Sequence, residues 1–454
     1  YELVNRQGCL GMVFPGAIHS NEGASGIRDL YLNNAKLDFC YSYENRKKLF
    51  EIDGRFKFDL VKVNKEKSAQ ESFRAAFYLH DESIIFDENW KPITYKKSQL
   101  EVLSSKNLAF PECRTQLDFD LLLSLNKVKL ITMSEISKKF QVSFYPGIEL
   151  HRNPDFNIKQ KKTIAGNAWD SQEILEKSKM VPVYEGKCFN QYLDFGNYEM
   201  DTMSPKDKVL SKDKWNPSIY YFRLAFRAVA ASTNERTLIA SFLRPGCICD
   251  HTCFIEATPE KRPNYLALLT LAYMNSFVAD WLIRQRVTTN ISSGHFNALL
   301  MPEKIISQYA AFLCHNSLLL LANHDGYAPI VKEQLGINNV KFPILSKQEE
   351  IDLVRSSIDV VIAKSFNFDK NIFEHILKSF DRASGLNPST QLCLELFDEF
   401  TKSDEKKFLK KHDRFNEVEI NKYLPIPLIK VNFRKKDEQA GLFDNVEVRN
   451  ENVK

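Results

Sequence analysis

The chain has no apolar run long enough to cross a membrane. Its longest, residues 265–283, is broken by Asn275, Ser276 and Asp280, and reads as one buried helix. No signal sequence opens the chain. Neither sign of charge dominates: 62 basic residues face 58 acidic ones, a net charge of +4. Bulk charge therefore neither demands nor excludes nucleic acid, and its distribution must decide. The nine cysteines are scattered and odd in number, which fits the reduced thiols of a cytoplasmic protein better than a disulfide framework. There is no P-loop, no glycine-rich cofactor loop, no helicase motif, no Ser/His/Asp series and no internal repeat. Nor is there an initiator Met; Tyr1 opens within what reads as a structural unit, so a fragment of a longer reading frame is expected.

What is present is globular: 44% hydrophobic and 26% charged residues over 454 positions, enough for two or three domains. Residues 9–15, 37–43 and 56–63 are apolar or alternating runs bounded by turn chemistry, and residues 26–33 read as a helix. Together they predict the strand–helix–strand–strand ending of an α/β sheet, the last two strands forming a hairpin. Three strands cannot build such a core, so partner strands are expected upstream. Residues 153–170 read as a linker or a mobile crossing loop, residues 223–232 as an Ala-rich helix and residues 238–243 as a strand. Residues 346–400 carry apolar positions at helical spacing, including Ile351, Val354, Ile358, Val361 and Ile362. Charge and a stop at Pro425 and Pro427 follow, with the last twenty residues expected to be a loose tail. The expected division is residues 1–160, 161–340 and 341–454.

Charge is uneven along the chain. Residues 214–246 hold five basic side chains and one acid, Glu235; residues 281–295 hold two arginines and no acid. On the expected helix, Arg223 and Arg227 lie four apart and emerge on one face, suited to phosphate or to guanine. The alternative is a solvated helix face. Asn234, Arg236 and Thr237 then gather amide, guanidinium and hydroxyl groups before a buried strand. That is either a base-reading turn or a polar clamp between helix and strand. Tyr184-Glu185-Gly186-Lys187, with Gln191 following, pairs a glycine for close approach with a lysine for phosphate; its plain alternative is a strand ending in a turn. Arg284 and Arg286 suit a helix C-terminus, and the acid-free loop at residues 287–295 suits DNA-backbone tracking.

Three further features carry less. Cys247-x-Cys249-x-His251-x-Cys253 has zinc-ligand types, but alternate spacing on a strand sets them in a line, so no metal is expected. Glu149-x-His151 reads more simply as an exposed strand end than as an acid–base pair. Asn45, Arg46 and Lys57 lie near the hairpin, either at a pocket of a fuller protein or as surface polarity.

Several segments, in order, resemble the Eco57I-like adenine-specific DNA methyltransferases of restriction–modification systems. They are residues 8–15; Tyr43-Glu44-Asn45-Arg46 with Phe50; Phe56-Lys57-Phe58-Asp59; Pro111-Glu112-x-Arg114 with Asp118; and Gly147-Ile148-Glu149-Leu150-His151. The series continues with Tyr184 to Lys187, Arg223 to Arg227, residues 232–239, and Tyr273 to Phe277 with Asp280 and Arg284. It closes on Ile351-Asp352 or Ile358-Asp359, Ala363 and Phe373-x-x-Ile376-Leu377-x-x-Phe380. The resemblance implies an α/β fold: terminal strands of an S-adenosylmethionine-methyltransferase sheet, a mixed α/β target recognition domain and a helical C-terminal segment. It implies methylation of adenine N6 in duplex DNA, with S-adenosylmethionine as donor and the base flipped out, in restriction–modification or phage defence. The glycine-rich loop and Asn-Pro-Pro-Tyr of the family are absent, so no catalytic or cofactor-binding residue is assigned and the chain alone is expected to be inactive. Expected partners are double-stranded DNA and an upstream methyltransferase half; the DNA-binding candidates are Tyr184, Lys187, Gln191, Arg223, Arg227, Asn234, Arg236, Thr237, Arg284 and Arg286. The alternative is a stand-alone specificity module serving a separate modification or cleavage subunit.

Overall fold

The computed structural model describes residues 2–430 apart from 55, 66–70, 105–106, 126–127, 165–169, 195–199, 231–234, 288–289, 323, 337–342 and 381–386. Strands β1 (Cys9–Pro15), β2 (Lys36–Glu44) and β3 (Lys57–Asn64) and helix α1 (Ser25–Asn33) fall where the apolar runs and turns place them. With β4 (Ser72–Leu79) and β5 (Ile93–Lys96) they form a five-stranded sheet in the order β1-β3-β2-β4-β5. Since β3 is antiparallel to both β1 and β2, and β4 is parallel to β2, the carboxyl ends of β1, β2 and β4 lie together at one end. The start of β3 joins them there, Lys57 facing Glu44 and Phe58 facing Pro15. Helices α2 (Lys97–Leu103), α3 (Gln116–Ser124) and α4 (Met133–Phe140) follow, with the short β6 (Leu130–Thr132) between the last two.

The middle of the chain is mixed α/β. Strand β7 (Phe144–Pro146) already belongs to its sheet β12-β11-β14-β7, with β11 (Arg223–Arg227), β12 (Ala240–Leu243) and β14 (Cys253–Glu256). A second small sheet has the order β13-β9-β10-β8, from β8 (Ile158–Ile164), β9 (Met180–Tyr184), β10 (Met200–Pro205) and β13 (Ile248–Cys249). Helices α5 (Ser171–Glu176) and α6 (Lys206–Leu210) flank it. The expected linker at 153–170 thus contributes a strand, recruited by antiparallel pairing with β10.

Two expected helices are corrected. Residues 223–227 are a strand: β11 lies between β12 and β14, and this pairing on both edges overrides the helix preference of its alanine-rich neighbourhood. Residues 265–283 form two helices, α7 (Asn264–Met274) and α8 (Phe277–Arg284), bent by 66°. The break has two causes. The Asn275 amide exchanges hydrogen bonds with both backbone groups of Ala240 (3.0 Å each), and the Ser276 hydroxyl caps α8 by accepting from Ala279 N–H. No single helix among the described residues is long and apolar enough to cross a membrane.

Beyond α8 come α9 (Ser293–Asn297), β15 (Leu300–Pro302, paired with β6), α10 (Glu303–Ser307), α11 (Ala310–Leu321) and α12 (Ala328–Leu335). The expected helical segment is α13 (Gln348–Ser365), α14 (Lys370–Lys378), α15 (Pro388–Lys402) and α16 (Glu405–His412). The expected tail lies outside the described residues. The largest apolar cluster draws residues from Ile18 in the first segment to Phe408 in the last, while a second, from Phe156 to Ile255, fills the mixed α/β segment and a third lies around Tyr41, Tyr43 and Phe58.

Candidate nucleic-acid interface

At the carboxyl ends of β1, β2 and β4, a position where open α/β sheets present functional groups, lies a buried ionic cluster. Lys57 and Asp59 occupy alternate positions of β3 and therefore share one face. His19, in the turn after β1, places Nδ1 2.7 Å from Asp59 Oδ2 and Nε2 3.0 Å from Glu112 Oε1. Lys57 Nζ lies 2.5 Å from Glu112 Oε2. All four side chains are at most 5% exposed. Burial alone depresses the His19 imidazolium, but Asp59 and Glu112 outweigh it and raise its pKa to about 9. Burial would raise Glu112, but Lys57 and His19 outweigh it and lower the carboxyl to about 2. Both shifts link the cluster to pH. His19 stabilises the fold fully below about pH 6.5 and loses that contribution as pH rises through about 9. Glu112 contributes above about pH 4.5, and its share is lost as pH falls through about 2. Thermal melts against pH should show a plateau between these limits; His19→Asn should remove the alkaline shoulder and leave the acid one.

Tyr78 closes the cluster. Its φ of +60° is unusual for an aromatic residue, and a bulge interrupts the β2–β4 pairing opposite it, between Tyr41 and Tyr43. The distortion sets the ring 4.4 Å from Lys57 Nζ and 4.0 Å from the Arg114 guanidinium. It also brings the hydroxyl to Arg284 O, at 3.0 Å. Arg46 and His80 sit at the exposed rim around Glu44.

Beside this rim, the β2–β3 loop projects Leu49, Phe50, Ile52 and Phe56, each 42–61% exposed, next to Arg46, Lys47 and Lys48. The loop is built: the buried Asn45 amide donates to Phe50 O and Ile52 O and accepts from Phe50 N–H. Lys48 takes the left-handed conformation that turns the chain. Large apolar side chains held in water can stack on bases, while of the basic groups beside them Arg46 is paired with Glu44 and Lys47 with Asp81 at 3.1 Å.

The expected DNA-binding residues are distributed differently. Arg223 is fully buried and donates to Cys247 O, because its strand is an interior one. Tyr184 and Gln191 are also buried, Gln191 donating to Leu238 O and Asn275 O. Arg236, Thr237 and Arg284 converge on the buried carboxylate of Asp280, at 2.8 Å from Arg236 Nε, 3.0 Å from Thr237 N and 3.0 Å from Arg284 Nε. Here the polar-clamp reading describes the turn. Arg286 donates to Ala298 O, and burial lowers its pKa. Arg227 is half-buried against Phe189 O. Lys187 is 54% exposed, 2.7 Å from Glu185. Asn234 lies outside the described residues. The basic excess of residues 214–246 is thus largely spent on interior carbonyls and on distant acids such as Asp280 and Asp194. The four residues of the Cys-x-Cys-x-His-x-Cys segment do not share a strand: Cys247, Cys249 and Cys253 are buried, while His251 stands half-exposed in the turn between β13 and β14.

Sequence reasoning missed His19, Asp59 and Tyr78 as site residues. A signal existed for Asp59: two opposite charges on one face of the apolar run Phe-Lys-Phe-Asp-Leu-Val needed partners from elsewhere.

No family model matches the chain, and no curated protein matches it. Among solved structures it is similar to the Type IIL restriction–modification enzyme MmeI in complex with DNA, at 11% identity and a TM-score of 0.42, over 88% of this chain and 50% of that one. It is also similar to the type IIG restriction endonuclease BpuSI (11%, 0.33, 89% and 48%) and to the DrdV–DNA complex (7%, 0.31, 88% and 51%). The chain spans about half the length of each.

Proposed function

We propose that this chain is the DNA-recognition part of an adenine-N6 DNA methyltransferase of a restriction–modification or phage-defence system, joined to the terminal strands of its catalytic sheet. The observation that carries this reading is the free edge of β1. Its sequence, Cys-Leu-Gly-Met-Val-Phe-Pro, is that of a strand buried on both faces, yet β3 is its sole partner among the described residues. Met12 is 41% and Val13 53% exposed, one on each face. Edge strands are normally blunted by charge, bulges or brevity, and none of these devices protects this one. An edge of this kind suits further strands of an upstream half. The open β1 edge argues against a self-contained specificity module. The polar rim and the apolar β2–β3 loop, at the end of the sheet where a flipped base would arrive, add to the reading.

S-adenosylmethionine, the donor such an enzyme uses, does not fit the described residues. Their two positive-φ glycines, Gly246 and Gly336, lie beside α5 and at the end of α12, and neither follows a strand of the five-stranded sheet. No step is therefore assigned to it on this chain.

The test is methyl transfer to duplex adenine by the chain alone, and then with an upstream polypeptide carrying the glycine-rich loop and Asn-Pro-Pro-Tyr. No transfer alone, transfer with the partner, and slowed hydrogen exchange of the β1 amides in the complex are expected. In a duplex-binding titration of the same complex Phe50→Ala and Phe56→Ala should each weaken affinity, by about 1–3 kcal/mol where a base is stacked. Failure of any upstream half to associate, with β1 amides already protected in the isolated chain, would overturn the reading.

A further inference from the structure

We propose that the rim joining Lys187, Arg227, Val229 and Asn290 is the edge of the mixed α/β segment that reads DNA sequence, with Val229 and Asn290 as its base-contacting residues. This rests on the DNA-recognition reading above. The rim assembles four separate stretches of chain, three by backbone bonds and the fourth through the Thr252 hydroxyl. Ala228 N–H donates to Thr252 O at 2.7 Å, Ile291 N–H donates to Ala228 O at 2.8 Å, and Val229 forms a bridge with Asn290. Gly186 N–H donates to Thr252 Oγ1 at 2.7 Å. Thr252 is itself fixed, its N–H donating to Asp250 Oδ1 at 2.9 Å. A Cβ at Gly186 would stand 3.1 Å from Thr252 O, a tight contact that marks how closely these stretches approach.

On this stitched backbone Val229 is turned outward. It is 58% exposed, while Ala228 and Ala230 on either side are buried. A lone exposed valine is ordinary. This one differs in being held by two fixed neighbours and in its company: the exposed Asn290 opposite and the half-buried Arg227 two residues back, with the exposed Lys187, paired with Glu185, next to Gly186 in the chain. The chemistry of that set is specific. A branched apolar group fits the thymine C5-methyl, and a carboxamide fits the N6 and N7 edge of adenine. Arg227 is held on Phe189 O and Lys187 on Glu185 at 2.7 Å, so a flanking phosphate would be met by Lys187 exchanging from Glu185, a contact that positions without specifying. The rim therefore matches a site containing A·T pairs in duplex DNA.

The full chain should be titrated and selected against a random-sequence duplex library, as wild type and as Val229→Ala, Asn290→Ala and Lys187→Ala. Circular dichroism melts would confirm that these exposed positions leave the fold intact. Val229→Ala and Asn290→Ala should relax the preference for thymine or adenine at one or two adjacent positions. Binding of the preferred site should weaken roughly 5- to 150-fold, the range of one base contact. Lys187→Ala should weaken all sequences alike and reduce the salt slope by about one. Selective wild-type binding that survives unchanged in both Val229→Ala and Asn290→Ala overturns the rim while leaving DNA recognition standing. A wild-type chain without sequence preference overturns the DNA-recognition reading and the rim with it.

Discussion

Replacing Glu112 by Ala should destabilise the first segment by about 3–5 kcal/mol, since it leaves two buried cations, His19 and Lys57, without their shared carboxylate. Truncating one member of a buried ionic set costs more than the set contributes, because the desolvated partners remain. Glu112→Gln is the informative companion: it keeps the volume and one acceptor oxygen, so its loss should be clearly smaller. A chain of this length need not unfold in one step, so the proper readout is residue-level hydrogen exchange in β1 to β4 together with the first thermal transition. A loss under 1 kcal/mol for Glu112→Ala would mean that water reaches the cluster in solution.

Asp280→Ala should have a comparable effect, about 3–5 kcal/mol, but elsewhere. Its carboxylate has no exposure, and it neutralises two guanidinium groups while accepting the backbone N–H of Thr237. Without it Arg236 and Arg284 lose their shared carboxylate and are left beside Phe380, with ring-to-cation distances of 5.5 and 4.0 Å. Exchange should accelerate first in residues 235–240 and in α8. Arg236→Ala removes one cation from the same clamp, so any change it causes in DNA affinity has to be read against the change in stability. Intact protection of residues 235–240 in Asp280→Ala would contradict the clamp.

These effects show which parts of the fold were legible in sequence. The strands at 9–15, 37–43 and 56–63 and the helix at 26–33 were readable because each is a local pattern closed by turn residues. Helices α13 to α15 were readable from spacing alone. Residues 223–227 were not: Arg-Leu-Ala-Phe-Arg has no decisive periodicity, and it is a strand because β12 and β14 claim both its edges. The bend after Met274 was equally hidden, since the Asn275 amide is held by Ala240, 35 positions earlier in the chain. The same limit governs the site. Local excess of arginine suggested a surface, but the acids and carbonyls that absorb Arg223, Arg236 and Arg284 lie up to 49 residues away. Charge density along a sequence reports the surface only when its counterions are also local.

Helix α8 carries a practical consequence for anyone wishing to divide this protein. Asp280 holds the 236–237 turn, and the Trp281 indole N–H donates to Asp118 on α3. The N–H of Phe277 donates to Asp359 on α13, while Arg284 O and Gln285 O accept from Tyr78 and Glu112. Eight residues and the one that follows thus anchor all three stretches of the chain. Cutting near residue 160 would strip Tyr78, Glu112 and Asp118 from that helix and the residue after it, and cutting near residue 340 would strip Asp359. A graft replacing residues 161–340 should accordingly fold when it brings its own counterpart of residues 277–285 together with the groups that pair with it, and fail when it stops short of them.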